Sequence, residues 1–192
     1  MTNLNVKEGK ILVKTELCNI LTIKFALNRI RMKTIILIRH AKSSWEFDVK
    51  DEERPLKKRG FKDSHLVSSA FKKKNINPDF IFSSTANRAL STCRIFMKNL
   101  EINERLLSVE NELYDFGGEQ VVRFLKKLDE DYKNVMIFGH NHAFTSICNI
   151  FGNIFIDNLP TSGLVVIDFD TNSWATIEKG NTRLTIFPRD LK

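Results

Sequence analysis

The chain alternates short apolar runs with longer segments in which apolar positions recur every three or four residues. The runs at 34–38, 80–82 and 135–138 are rich in Ile, Val and Phe, which is typical of strands buried in a sheet. Each is followed by a segment with one apolar stripe, which predicts a helix. This alternation predicts an α/β fold: a three-layer sandwich with a mostly parallel central sheet and helices on both faces.

The clearest of the predicted helices follows the second run. Its apolar positions recur at helical spacing: Ala86, Ala89, Leu90, Cys93, Met97 and Leu100. The C-terminal part differs, because the apolar segments 164–169 and 174–177 closely flank the polar residues 170–172. That spacing predicts an antiparallel C-terminal hairpin added to the sheet.

Cysteine usage and hydropathy narrow the class of protein. Cys18, Cys93 and Cys148 are widely spaced and form no Cys-x-x-Cys pair, which argues against a zinc ribbon or a disulfide scaffold. No apolar run reaches the about 18 residues of a membrane span, so we expect no membrane partner. These features predict a cytoplasmic protein.

The positive charge is concentrated at one end of the chain. The net charge is +7, and residues 1–31 carry six Lys or Arg against two Glu, so four of the seven charges belong to that segment. Nucleic-acid binding is therefore weakly supported, and we expect no nucleic-acid partner. Because Met32 lies two residues before the first strand, we interpret 1–31 as an N-terminal extension with a mis-assigned start, and 32–192 as the domain. An ordered N-terminal helix packed on the domain is the alternative.

Side chains suited to phosphate binding follow three of the predicted strands. Arg39 and His40 end the first strand, Arg88 opens the helix after the second, and His140 follows the strand at 135–138. In a parallel sheet these positions meet at one edge, so we expect the four side chains to share a crevice. Arginine matches phosphate oxygens with a charged fork, and histidine is neutral and nucleophilic at physiological pH. We predict that His40 attacks a phosphoryl group held by Arg39.

Four ordered motifs resemble the histidine phosphatase superfamily, whose fold is phosphoglycerate-mutase-like. They are 39–41 (Arg-His-Ala), 54–56 with 59–60 (Arg-Pro-Leu and Arg-Gly), 83–89 (Ser-Ser-Thr-Ala-Asn-Arg-Ala) and 139–141 (Gly-His-Asn). More narrowly, 39–45 (Arg-His-Ala-Lys-Ser-Ser-Trp) is similar to the SixA-like phosphohistidine phosphatase branch. The resemblance spans residues 33–191 and predicts a histidine phosphatase domain at 32–192.

The resemblance implies a reaction and a set of roles. His40 would form a phosphohistidine intermediate that water hydrolyses, with Arg39, Arg88 and His140 lining the phosphate pocket. No metal and no organic cofactor are implied. The implied substrate is a phosphorylated protein or a small phosphorylated molecule. A phosphate-binding module without turnover and a phosphoglycerate-mutase-like phosphotransferase are the alternatives, and the oligomeric state is unknown.

The proton donor is the least determined role. The family commonly places an acidic residue in the middle segment, where it protonates the leaving oxygen. Glu112 is the candidate proton donor, with Glu110 and Asp115 as alternatives. A further alternative is that these residues form a solvated acidic loop without a catalytic role. A phosphohistidine substrate has a nitrogen leaving group that needs less help from an acid.

Four further residues are candidates for substrate binding, and a fifth residue, Glu46, departs from the family pattern. The candidates are Lys42, Ser43, Arg54 and Asn141. Glu46 stands where mutase-like relatives usually carry asparagine; because its charge would repel phosphate, we expect it to point away, and it argues against mutase activity.

Overall fold

The computed structural model describes residues 32–192, so the predicted extension at 1–31 lies outside the described residues. Six strands form one sheet in the order β3-β2-β4-β1-β5-β6. The strands are β1 (Met32–Arg39), β2 (Phe80–Ser84), β3 (Leu107–Glu110), β4 (Asn134–Gly139), β5 (Leu164–Asp170) and β6 (Asn181–Ile186). The first four strands pair in parallel, and β5 runs antiparallel to both of its neighbours.

Within residues 32–192, four helices cover the two faces of the sheet. They are α1 (Lys58–Lys72), α2 (Asn87–Leu100), α3 (Glu119–Leu125) and α4 (Asn141–Phe151). Successive residues of a strand point to opposite faces, and β1 supplies Ile36 and Ile38 to the core under α1 and α2. It supplies Ile35 and Leu37 to the core under α3 and α4. The predicted three-layer α/β sandwich is confirmed.

The antiparallel C-terminal hairpin is present, but its second strand was predicted in the wrong place. β5 pairs with β6, which begins at Asn181, whereas Trp174–Thr176 forms a 3-10 turn. The Trp174 indole is fully buried and donates a hydrogen bond of 2.8 Å to the carbonyl of Tyr132. The apolar residues at 174–177 therefore anchor the connection instead of extending the sheet.

The strand order places the candidate chemistry at the centre of the sheet. β1 and β4 are neighbours, and Arg39 lies opposite Gly139 in their register. Residues that directly follow these strands are consequently brought side by side. Among residues 32–192, no helix is both long and apolar enough to cross a membrane.

Candidate active site

The first two site residues meet because β1 and β4 end together. The amide of His40 donates to the carbonyl of Gly139 over 2.9 Å, which continues the strand pairing by one residue. The ring centroids of His40 and His140 lie 5.3 Å apart. The structure thus brings together two histidines that are separated by a hundred residues of sequence.

His40 has the protonation state of a nucleophile. Its Nδ1 lies 2.8 Å from the carbonyl oxygen of Ala41, so a neutral ring donates from Nδ1 and leaves the Nε2 lone pair free. Burial lowers the pKa of His40 to about 3, and the nearby His140, Arg88 and Arg39 act in the same direction. The imidazole is therefore neutral at physiological pH.

His140 precedes the first residue of α4 and is fully buried. Its Nε2 lies 2.9 Å from the Ser84 hydroxyl, and its Nδ1 lies 3.5 Å from an Nη atom of Arg88. Since arginine can only donate, Nδ1 accepts and Nε2 carries the proton toward Ser84. Burial, followed by the charge of Arg88, lowers the pKa of His140 to about 3.

Arg88 lies in the first turn of α2, directly after β2, and only 1% of it is exposed. Its guanidinium donates two hydrogen bonds to Asp51, which lies in the loop between β1 and α1. Nη1 donates to the backbone carbonyl of Asp51 over 2.5 Å, and Nη2 donates to the carboxylate over 2.8 Å. These contacts set the guanidinium beside His140.

Asp51 is a site residue that the sequence analysis missed. Its carboxylate also forms an ion pair of 2.8 Å with Arg54 and accepts a hydrogen bond of 2.7 Å from the Tyr114 hydroxyl. Partial burial acts to raise the pKa of Asp51, but the Tyr114 hydrogen bond and the charges of Arg88 and Arg54 hold it below its usual value. The spacing Asp51-x-x-Arg54 was the available signal, because residues three apart on a helical turn are neighbours.

Three arginines leave buried donors free at this edge of the sheet. Nη1 of Arg39 donates to the carbonyl of Leu159 over 2.6 Å, and burial lowers the pKa of Arg39 to about 10, so it stays charged at pH 7. The Nε atoms of Arg39, Arg54 and Arg88 are buried and have no hydrogen-bond partner within residues 32–192. A phosphoryl group is a ligand that can accept from such donors.

The predicted substrate-binding residues divide into two groups. Ser43 is buried and its hydroxyl accepts from Arg54 over 3.2 Å, so these two lie in the network around Asp51. Lys42 is exposed, and the Asn141 side-chain amide donates to Asn158 over 2.8 Å. No hydrogen bond joins Lys42 or Asn141 to the histidine pair within residues 32–192.

The acidic candidates also occupy different environments. Glu112 is exposed on the 3-10 turn Asn111–Leu113 and has no ion pair among the described side chains. Glu110 accepts from the Ser108 hydroxyl, whereas Asp115 is buried and accepts from four backbone amides at the start of α3. Asp115 therefore stabilises a helix start.

Glu46 pairs with a lysine on the surface. Its carboxylate lies 2.5 Å from the Lys57 ammonium, and the hydrogen bond from Lys57 lowers its pKa. Both side chains are at least one-third exposed. The carboxylate that would repel phosphate is thus neutralised by Lys57.

Aromatic side chains lie beside the site; Trp45 belongs to the motif at 39–45, whereas Tyr114 and Phe116 were not predicted. Trp45 is 74% exposed, and its ring centroid lies 3.4 Å from the Arg54 guanidinium carbon. The Phe116 ring lies 4.8 Å from the ring of His140, and the Tyr114 ring lies 5.2 Å from it. Within the part of the chain that the structure describes, no group of three His, Cys, Asp or Glu side chains is arranged to hold a metal ion.

Comparison with known proteins shows a shared fold and a match to one family model. A model of the histidine phosphatase superfamily (branch 1) matches residues 35–116. The structure of the protein histidine phosphatase SixA complexed with tungstate superimposes with a TM-score of 0.71, at 20% identity, over 83% of this chain and 99% of that chain. A candidate phosphohistidine phosphatase SixA from Agrobacterium tumefaciens gives a TM-score of 0.66, at 22% identity, over 80% and 97%.

One protein is similar to this chain in sequence over most of its length. An uncharacterized protein of Mycobacterium tuberculosis is 24% identical over 160 residues, which is 78% of this chain and 98% of that protein. The match of residues 35–116 to this family model indicates a phosphatase. Residues 35–116 of the chain thus match the histidine phosphatase superfamily, in agreement with the resemblance of its sequence motifs.

Proposed function

We propose that this protein hydrolyses phosphoryl groups through a covalent phosphohistidine formed on Nε2 of His40. The observation that carries the proposal is the contact of 2.8 Å between Nδ1 of His40 and the Ala41 carbonyl, which requires the proton on Nδ1 and leaves Nε2 free. Arg39, Arg88 and His140 lie close to His40, and the two arginines retain buried N–H donors that can stabilise charge on a transferring phosphoryl group.

We favour phosphohistidine in a protein as the substrate, with small phosphorylated molecules as the alternative. The similar SixA structure is that of a protein histidine phosphatase. Neither Glu110, Glu112 nor Asp115 contacts His40 or His140 among the hydrogen bonds and ion pairs of residues 32–192. The distal ring nitrogen of a phosphohistidine can be protonated by solvent before the P–N bond breaks, so the group departs as a neutral imidazole and suits a site without an adjacent acid.

The proposed reaction has two steps. Once solvent has protonated the distal ring nitrogen of the substrate imidazole, the Nε2 lone pair of His40 attacks phosphorus and the substrate's P–N bond breaks with its electron pair on nitrogen. Water then attacks the phosphorus, the P–Nε2 bond breaks, and its electron pair returns to His40 while the water proton passes to solvent. The side-chain cations face the phosphoryl oxygens in both steps.

The test is rapid trapping in alkaline detergent with a radiolabelled phosphodonor, for which a histidine-phosphorylated peptide and a small phosphoester are compared. Wild type should acquire a base-stable, acid-labile label that is absent from His40→Ala. His65→Ala is the matched control, because His65 is an exposed histidine of α1. A folded wild type that takes no label and hydrolyses neither donor would leave a phosphate-binding module as the function.

A further inference from the structure

We propose that Asp51 is a positioning residue, which holds the Arg88 guanidinium in the orientation that receives a phosphoryl oxygen. This inference rests on the proposed function, because it assigns Arg88 to the phosphate pocket. It adds a residue of the loop between β1 and α1 to a site otherwise formed by strand ends and helix starts.

The geometry at Arg88 supports this role. A guanidinium is planar, so two donors from its two Nη atoms to one residue determine both its position and the direction of its plane. Asp51 accepts both of these bonds, one at its carbonyl and one at its carboxylate. The Nε–H remains without a partner within residues 32–192, and it can donate to an oxyanion.

Burial makes the anchor necessary. Arg88 is 1% exposed, so water cannot replace a lost partner as it does for a surface arginine. The nearest other side-chain partner of its Nη atoms is the neutral His140, at 3.5 Å. Asp51 is therefore the anion that both orients and neutralises this buried cation.

Asp51 is itself held from two further directions. Arg54 contacts one carboxylate oxygen and Tyr114 donates to the other, the same oxygen that faces Arg88. Arg54 in turn stacks against Trp45 on the surface. These contacts connect the loop after β1 and the loop after β3 to the pocket, which is the arrangement expected of a support and not of a mobile counter-ion.

A competing role predicts the opposite sign. If the Asp51 carboxylate occupied Arg88 only until substrate displaced it, removing its charge would increase the affinity for an oxyanion. If Asp51 positions Arg88, the same change leaves the guanidinium wrongly oriented and reduces that affinity. The sign of the change in oxyanion affinity decides between the two roles.

The experiment compares Asp51→Asn with Glu52→Gln. Both remove one negative charge from the same 3-10 turn, but Glu52 is exposed and has no ion pair among residues 32–192. Tungstate affinity is measured by calorimetry, and kcat and KM are measured with a small aryl phosphate. We expect Asp51→Asn to bind tungstate at least about 10-fold more weakly and to lose more in kcat than in KM, since a charge-assisted hydrogen bond is lost. Glu52→Gln should match wild type.

A second variant separates positioning from folding. Tyr114→Phe removes one donor to the same carboxylate and should reduce tungstate affinity less than Asp51→Asn does. The double variant should lose less than the sum of the two, because both changes act through one carboxylate. Melting temperatures of Asp51→Asn and Tyr114→Phe close to that of Glu52→Gln would show that these variants are folded.

The outcomes separate the inference from the function it rests on. Unchanged or increased tungstate affinity in Asp51→Asn, or additive losses in the double variant, would overturn the role of Asp51. A wild type that binds tungstate but hydrolyses nothing would contradict the phosphatase function alone, because the affinities would still decide what Asp51 does.

Discussion

Replacing Gly60 with alanine tests how helix α1 positions the segment that follows the nucleophile. Gly60 lies near the start of α1, against the backbone of Lys42. A methyl group at Gly60 would overlap the Lys42 carbonyl oxygen and come within 3.1 Å of the Lys42 amide nitrogen. That carbonyl accepts a hydrogen bond of 2.8 Å from the Lys57 amide, so it has little freedom to move.

Two opposing effects decide the magnitude. Alanine in place of glycine within a helix ordinarily stabilises by about 0.5–1 kcal/mol. Forcing an extra methyl group into closely packed atoms costs about 1–3 kcal/mol, and here the obstacle is backbone instead of a flexible side chain. We expect Gly60→Ala to lower the free energy of unfolding by about 1–2 kcal/mol.

Activity should fall further than stability. Lys42 follows Ala41, whose carbonyl holds Nδ1 of His40, so a displaced Lys42 backbone moves the group that orients the nucleophile. Misplacement of a reacting group by about 1 Å can cost about 100-fold in rate. We expect a loss of at least about 10-fold in kcat, measured with an aryl phosphate at saturating substrate.

Urea denaturation supplies the stability measurement, with Gly117→Ala as the control. A methyl group at Gly117 would make an ordinary contact of 3.6 Å with the Asp115 carboxylate, so its unfolding free energy should remain close to wild type. A Gly60→Ala protein as stable as wild type, or one with full kcat, would refute the reasoning from close packing.

Two further predictions concern protonation. Because the pKa of His140 is about 3 in the folded protein and about 6.5 when unfolded, only the unfolded chain binds this proton between those values. The unfolding free energy should therefore decrease as the pH falls from about 6.5 toward 3. In urea titrations, His140→Asn should reduce this dependence on pH by up to about 1.4 kcal/mol per pH unit. A pH dependence of His140→Asn equal to that of wild type would contradict the assignment. Because Glu112 is exposed and contacts neither site histidine within residues 32–192, Glu112→Gln should hydrolyse an alkyl phosphate and a histidine-phosphorylated peptide at rates close to those of the control Glu104→Gln. A loss confined to the alkyl phosphate would instead identify Glu112 as the proton donor.

The sheet and its helices were predictable because their patterns are local. The run at 34–38 is apolar on both faces of β1, and the stripe from Ala89 to Met97 follows the helical repeat. The error at 174–177 has the same origin. A short apolar run cannot be distinguished from a strand by periodicity alone, and burial of Trp174 against the end of the sheet decided its structure.

The histidines and arginines of the site were predictable for a topological reason. Arg39, His40, Arg88 and His140 each lie where a strand ends or the next helix begins, and parallel pairing brings such positions to one edge. Asp51 belongs to a short 3-10 turn in the loop after β1, and no repeat in the sequence relates this turn to the position of α2. Its contacts depend on how that loop folds back onto α2.

The sequence by itself determined the alternation of strands and helices, the edge of the sheet that carries the chemistry, and the residue types available there. Only the tertiary structure decided the tautomer of His40, the neutral state of both histidines and the partner of Arg88. These depend on which atoms lie within hydrogen-bond distance and on how much water is excluded. Such properties arise from packing between segments far apart in sequence, and no local pattern of residues encodes them.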